Sequence, residues 1–175
     1  MIHNQFGVLV KIVRSDNGKE YFNQLLSPFY QKEGIIHQSS CVDTPQQNGV
    51  AERKNCHLLE TTRALLFEKQ VPKHYWGEAV LTAAHLINRL PSRVLGNKTP
   101  VSVLSQFYLE FNKSSHLPPK IFGSVSYVHI HKQNRGKLDP RAVKCVFLGY
   151  CSTQKGYKCY HPNSKKFCHK RCYLC

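Results

Sequence analysis

The chain has 175 residues, 41% of them hydrophobic and 11% aromatic, and carries a formal net charge of +15. That length and apolar content suit one ordinary domain or two small ones and exclude an intrinsically disordered chain. No apolar run approaches the roughly 20 residues of a membrane span, and Met1-Ile2-His3-Asn4-Gln5 lacks a signal-peptide pattern, so nucleus or cytoplasm is the expected location, with the eight cysteines reduced.

In chain order, residues 8–15 predict a strand, from the apolar run Val8-Leu9-Val10-Lys11-Ile12-Val13. Tyr21 to Lys32 predicts a helix interrupted near Ser27-Pro28, and Gly34 stops it. Ile35 to Cys41 reads as a short strand, and 42–49 as a polar loop with Pro45 and Asn48-Gly49. A long helix follows from about Asn48 to Lys69. Ala51, Leu58, Leu59, Thr62, Leu65 and Leu66 share one face at 3.6-residue spacing, with Glu52 at the edge of that stripe. A second helix spans about Lys73 to Arg89, with Trp76, Val80, Ala83, Ala84 and Ile87 as its apolar face. Thr99-Pro100 opens a further helical segment through Gln106.

Residues 107–119, with Asn112, Ser114, Ser115, Pro118 and Pro119, predict a linker. Beyond it the pattern turns to period two. Ser126–Ile130, Ala142–Leu148 and Gly156–Tyr160 predict strands, Asn134-Arg135-Gly136 and Pro162-Asn163-Ser164 predict turns, and the whole predicts a small barrel. The domains expected are therefore 1–106, a linker 107–119, and 120–175. Charge follows that division: residues 1–110 hold 12 Lys and Arg against 9 Asp and Glu (+3), and residues 111–175 hold 13 against Asp139 alone (+12). A segment so basic favours a polyanionic partner over a merely solvated surface.

Two acids stand out. Asp16 ends the first strand and opens the turn Asp16-Asn17-Gly18; Glu52 lies in the first turn of the long helix, with thirty-five residues between them. Taken singly, the first is a common turn signature and the second a favourable acid at a helix N-terminus. Asp43, Glu60, Glu68 and Glu78 read as surface acids.

Taken with their flanking residues, the two acids carry a resemblance. Arg14-Ser15-Asp16-Asn17-Gly18-Lys19-Glu20-Tyr21 and Thr44-Pro45-Gln46-Gln47-Asn48-Gly49-Val50-Ala51-Glu52-Arg53-Lys54-Asn55 resemble the integrase region of copia-type retrotransposon polyproteins. Tyr75-Trp76-Gly77-Glu78-Ala79, Ile87–Ser92, Lys137-Leu138-Asp139-Pro140-Arg141-Ala142 and Phe147-Leu148-Gly149-Tyr150 look like the same family. The resemblance implies an α/β fold: a truncated ribonuclease H-like integrase core followed by a basic, all-β SH3-like barrel. It implies that Asp16 and Glu52 are the second and third of three carboxylates holding Mg²⁺ (or Mn²⁺) for DNA strand transfer, hard cations that prefer oxygen ligands. Residues 1–15 contain no Asp or Glu, so the first carboxylate is expected on a strand before Met1, and no useful catalysis is expected of this chain alone.

The partners implied are retroelement ends and target DNA, with RNA as a second polyanion, no membrane, and oligomerisation in the complete enzyme. Gln47 and Asn48 in the loop, Arg53 and Lys54 on the helix, and Lys132, Arg135, Lys137, Arg141, Lys165 and Lys166 in the basic segment are the candidate nucleic-acid contacts. His161, Cys168, His169, Cys172 and Cys175 have partly ligand-like spacing, yet no second pair stands at a finger-like distance, so zinc is not expected. The family's final strand pattern is departed from between His169 and Cys175, which leaves the last barrel strand open. The alternative function is a domesticated, non-catalytic nucleic-acid or protein interaction module. In it Tyr127, Tyr150, Tyr157 and Tyr160 would stack on bases rather than serve as barrel core.

Overall fold

A computed structural model describes residues 2–41, 48–108, 117–151, 156–170 and 172–174. They form two compact units, Met1–His57 and Leu58–Cys175.

In the first unit, a short helix α1 (Ile2–Phe6) precedes strand β1 (Ile12–Ser15), helix α2 (Leu26–Lys32) and strand β2 (Ile36–Ser39). β1 and β2 pair in parallel, Ile12 opposite Ile36 and Ser15 opposite Ser39, so α2 is the crossover of a βαβ unit. Asn23 starts α2: its Oδ1 accepts from the backbone N–H groups of Leu25 (2.9 Å) and Leu26 (2.8 Å), satisfying donors that a helix start leaves free. Pro28 falls in the first turn of α2, where no intrahelical donor is lost. The regular strand begins only at Ile12, so the apolar run 8–11 is not strand. None of the described residues of this unit is buried, and Leu25 is 83% exposed and Ile36 60%. Parallel sheets are ordinarily covered on both faces, and these two strands are not.

Helix α3 (Gly49–Glu68) starts in the first unit and ends in the second. It stops in a Schellman motif: Val71 N–H donates to Leu66 O (2.9 Å) and Gln70 N–H to Phe67 O (3.2 Å), with Gln70 left-handed at φ 49°. After a 3₁₀ turn at Lys73–Tyr75 come α4 (Trp76–Ile87) and α5 (Pro100–Phe107), whose N-cap Thr99 accepts from Ser102 N–H through its side chain.

The second unit is completed by an antiparallel sheet: β3 (Val125–His129), β4 (Ala142–Tyr150), β5 (Tyr157–His161), β6 (Lys166–Lys170) and β7 (Cys172–Leu174). Its order is β6-β5-β4-β3-β7. β6 and β7 are successive along the chain yet sit at opposite ends of that order, as in a sheet that curls toward closure. β7 thus supplies the strand the sequence left open.

Two apolar clusters explain why β4 reads as a near-continuous apolar run. Its inner face packs Cys145 and Phe147 with Val128, Tyr157 and Cys159. Its outer face packs Leu148 and Val146 with Ala79, Val71 and Phe122, the layer formed with the helices. The helix face that enters this layer is Ala79, Thr82 and Ala83, all fully buried, while Trp76 points out, 63% exposed. Small residues win because the backbones come close. A Cβ on Gly149 would lie 2.7 Å from Thr82 Oγ1, and Gly149 has φ +131°, at a bulge where β4 shifts register against β5. Gly149 therefore serves both the bulge and the helix contact. The Tyr75–Ala79 and Phe147–Tyr150 motifs, far apart in sequence, interlock here.

Glu78 is not the surface acid expected. Its Oε1 accepts from Lys158 Nζ at 2.5 Å, both side chains being 21% exposed, and Lys158 also lies 4.6 Å from the centre of the Phe167 ring.

Candidate nucleic-acid interface and carboxylate pair

Strand β1 delivers its side chains to the C-terminal edge of the parallel pair, the place where open parallel sheets keep their ligand sites. Asp16 follows directly. Its Oδ1 accepts from Gly18 N–H at 3.0 Å, an Asx turn that holds the carboxylate at the strand end and leaves Oδ2 without a partner among the described residues. Beside it, Ser15 Oγ donates to Asp16 O (2.9 Å) and therefore accepts from His37 Nε2 at 2.8 Å. His37 sits against Phe22 (4.9 Å between ring centres), Tyr30 (5.2 Å) and Tyr21 (6.4 Å), which fixes its ring.

A cleft of about 630 Å³ opens at this edge, lined by Arg14, Ser15, Gln38, Ser39, Ser40 and Asn48. Arg14 Nε donates to Gln38 Oε1 at 2.9 Å across the strand pair. Among the expected contacts, the structure brings Asn48 to this cleft. Glu52, Arg53 and Lys54 are exposed on the first turns of α3 and do not line it. Gln47 lies outside the described residues, as does Asp43. Asp16 and Glu52 are both present in this unit, but no group of three His, Cys, Asp or Glu that could hold a metal ion exists among the described residues. Two carboxylates alone give a hard divalent cation too few ligands. Sequence reasoning missed Arg14, Ser15, His37 and Gln38; strand alternation through β1 and β2 pairs Arg14 with Gln38 and was the available signal.

In the second unit the basic residues gather by topology. The β3–β4 connection carries Lys132 (in a 3₁₀ turn, Lys132–Asn134), Arg135, Lys137 and Arg141; the β5–β6 turn carries Lys165, with Lys166 at the start of β6. In an antiparallel run of successive strands these two connections fall at the same end of the sheet. Asp139, the lone acid of residues 111–175, accepts from Gly136 N–H through Oδ2 at 2.6 Å, so its charge is spent on folding the loop. Next to it Leu138 is 98% exposed.

The tyrosines divide differently from a stacking surface. Tyr157 is buried, and its hydroxyl donates to Pro118 O. Tyr150 stacks on His85 at 3.6 Å and accepts from Lys120 N–H, while Tyr160 lies against Tyr75. Of the four, Tyr127 is exposed. Burial, with Arg89 nearby, pushes His85 down to about 4, and its Nε2 has no hydrogen-bond partner among the described residues. Of the cysteine and histidine group considered for zinc, His161 Nδ1 is 2.7 Å from Ser164 Oγ, and Cys168 packs against the inner cluster.

With this geometry in view, the likenesses are specific. A family model described as the retroviral polymerase SH3-like domain matches residues 124–173, from just before β3 into β7. The "Retrovirus-related Pol polyprotein from transposon TNT 1-94" of Nicotiana tabacum is 38% identical over 171 residues, 98% of this chain. Over nearly its whole length the chain matches part of copia-type retrotransposon Pol polyproteins. Further relatives are the "Retrovirus-related Pol polyprotein from transposon RE1" of Arabidopsis thaliana, 36% identical over 95% of this chain, and the "Truncated transposon Ty1-A Gag-Pol polyprotein" of Saccharomyces cerevisiae, 32% identical over 94%. The chain spans 12%, 11% and 13% of those three proteins. Among solved structures, a chain from the simian T-cell lymphotropic virus intasome in complex with PP2A regulatory subunit B56 gamma superposes with TM-score 0.46 at 16% identity, covering 94% of this chain and 57% of that one. That likeness is too loose to carry an argument.

Proposed function

We propose that the chain is the integrase region of a copia-type Pol polyprotein: the later part of a ribonuclease H-like catalytic core, through about residue 106, joined to a basic SH3-like barrel that binds DNA. The observation that carries this reading is the continuity of the match, 38% identity across 98% of the chain, through both the Asp16 and Glu52 segments and the barrel. The uncovered parallel pair β1–β2 agrees with it, since such strands are at home inside a larger covered sheet.

In this reading Asp16 and Glu52 are two of three metal ligands, and bound Mg²⁺ or Mn²⁺ would activate a water or a DNA 3′-hydroxyl in the complete enzyme. The chain's own residues do the rest. The Asx turn holds the Asp16 carboxylate, the Ser15–His37 contact braces the strand end, and the basic end of the barrel grips phosphates in a salt-dependent way. The chain alone binds duplex DNA, and RNA more weakly, without transferring strands; nuclear DNA is its target.

Two measurements test this. In the longer polyprotein, Asp16→Asn and Glu52→Gln should each abolish metal-dependent strand transfer while leaving the fold intact; activity surviving either change overturns the assignment. For the chain itself, the dependence of DNA affinity on salt should lose about one in log–log slope for each of Arg135→Gln and Lys166→Gln. An unchanged slope in both removes the barrel from the interface.

A further inference from the structure

The end of α3 and the start of α4 frame an open groove of about 560 Å³ that the DNA-binding reading does not use. Its floor is the buried Val71; Leu66 and Pro72 line it beside that residue, and two aromatic rings stand largely exposed: Phe67 is 69% exposed and Trp76 63%. An exposed Trp and Phe flanking one apolar depression is more than the scattered surface apolar residues any protein carries. The charged residues lining it are cations, Arg63 and Lys73, both exposed and neither in an ion pair among the described residues.

The groove is also built rather than incidental. Gln70 occupies the left-handed position of the Schellman motif, which glycine ordinarily takes and which costs a side-chain-bearing residue roughly 1 kcal/mol. That strain sets an amide in the wall of the depression. Val71 is held from below: it belongs to the cluster with Phe122, Leu148 and Ala79, and a Cβ on Gly123 would fall 2.6 Å from its Cγ2. A floor locked to the sheet means that an incoming partner need not order it, which favours binding.

We propose that this groove docks an amphipathic, acidic peptide helix from a protein partner, its apolar anchors seated between Phe67 and Trp76 and its carboxylates meeting Arg63 and Lys73. An apolar floor suits Leu- or Phe-type anchors spaced i, i+3, i+4, i+7. Duplex DNA fits it poorly, because its bases are already stacked on one another and its backbone needs a longer cationic track than Arg63 and Lys73 supply. The two cations select against basic helices by like-charge repulsion.

Trp76 is the sole tryptophan of the chain, so its emission reports on this groove alone. The experiment titrates the full chain with a fluorescently labelled helical peptide bearing Leu at i, i+3, i+4 and i+7 and Glu on its flanks, and with a version carrying Lys for Glu. The Glu peptide should shift Trp76 emission to the blue, and both Trp76→Ala and Phe67→Ser should weaken its binding about tenfold by anisotropy. Arg63→Glu with Lys73→Glu should reverse the preference to the Lys peptide. These exposed positions leave the fold intact, checked by circular dichroism. The proposal is overturned if saturating Glu peptide leaves Trp76 emission unmoved, if the two peptides bind alike, or if duplex DNA causes the shift and displaces the peptide. It is equally overturned if Trp76 emission follows protein concentration and ignores the peptide, which would make a second copy of the chain the occupant.

Discussion

Replacing Gly149 by alanine sets the most direct test of how helix and sheet meet in the second unit. The new Cβ faces two costs. At φ +131° an L-residue is strained by roughly 1–3 kcal/mol. The methyl would also stand 2.7 Å from Thr82 Oγ1, and Thr82 is fully buried with its hydroxyl donating to Glu78 O at 2.8 Å, so it cannot swing aside without giving up that bond. Overpacking of this kind costs roughly 1–3 kcal/mol. The expected total is about 3 kcal/mol, a fall in melting temperature of roughly 6–12 °C. Urea denaturation followed by far-ultraviolet circular dichroism measures it, and Thr82→Ala separates the two costs. In the Thr82→Ala background the contact is gone, and Gly149→Ala should cost about 1–2 kcal/mol less than in the parent, a coupling that a double-mutant cycle resolves. If Gly149→Ala costs under about 0.5 kcal/mol, or costs the same in both backgrounds, the helix does not approach the strand as described.

Two further outcomes follow from buried or half-buried charge. His85 is held neutral in the folded chain down to about pH 4, against an ordinary 6.5. The unfolded chain therefore takes up the proton first as pH falls, so the stability tied to neutral His85 is complete above about pH 6.5 and is lost between 6.5 and 4. At about 1.4 kcal/mol per pH unit, halved because the ring is only partly enclosed, the loss is roughly 1.5 kcal/mol. His85→Phe keeps the stack on Tyr150 and loses no hydrogen bond at Nε2, so it should flatten stability across that window; an undiminished slope counts against His85 as its source. Glu78→Gln should cost roughly 2 kcal/mol by leaving Lys158 half-buried without its carboxylate, and adding Lys158→Met should restore most of it. No recovery in the double variant would mean that the pair is not the source of the loss.

What could be read from the sequence was much of the order of elements; what could not was which face meets what. The helix at Trp76–Ile87 was legible from its period, but its apolar face was placed on Trp76 because size usually signals burial. Ala83 of that face is buried as expected, but the sheet demanded small side chains at Ala79 and Thr82 beside it, a demand set at Thr82 by Gly149 and beyond the reach of any local pattern. Glu78 looked like a surface acid for the same reason, its partner Lys158 being eighty positions away. Asp16 was legible as a turn-forming acid at a strand end, and the Asx bond to Gly18 is that turn. Its neighbours Arg14, His37 and Gln38 gain meaning only once β1 and β2 are known to run side by side. The final strand at Cys172–Leu174 stays open in the sequence because three residues are too few to show a period; pairing with β3 defines it.

The clasp between Thr82 and Gly149 also has a consequence in time. The two residues are sixty-seven positions apart (82 to 149), and at about 5–20 residues per second a ribosome needs roughly 3–13 s to travel that distance. For that long after the Ala79–Ala83 face of α4 leaves the ribosome, the strand that covers it has yet to follow. A nascent chain of this kind spends seconds displaying an apolar helix to whatever is near, and the second unit can become native only after its last strands have been made.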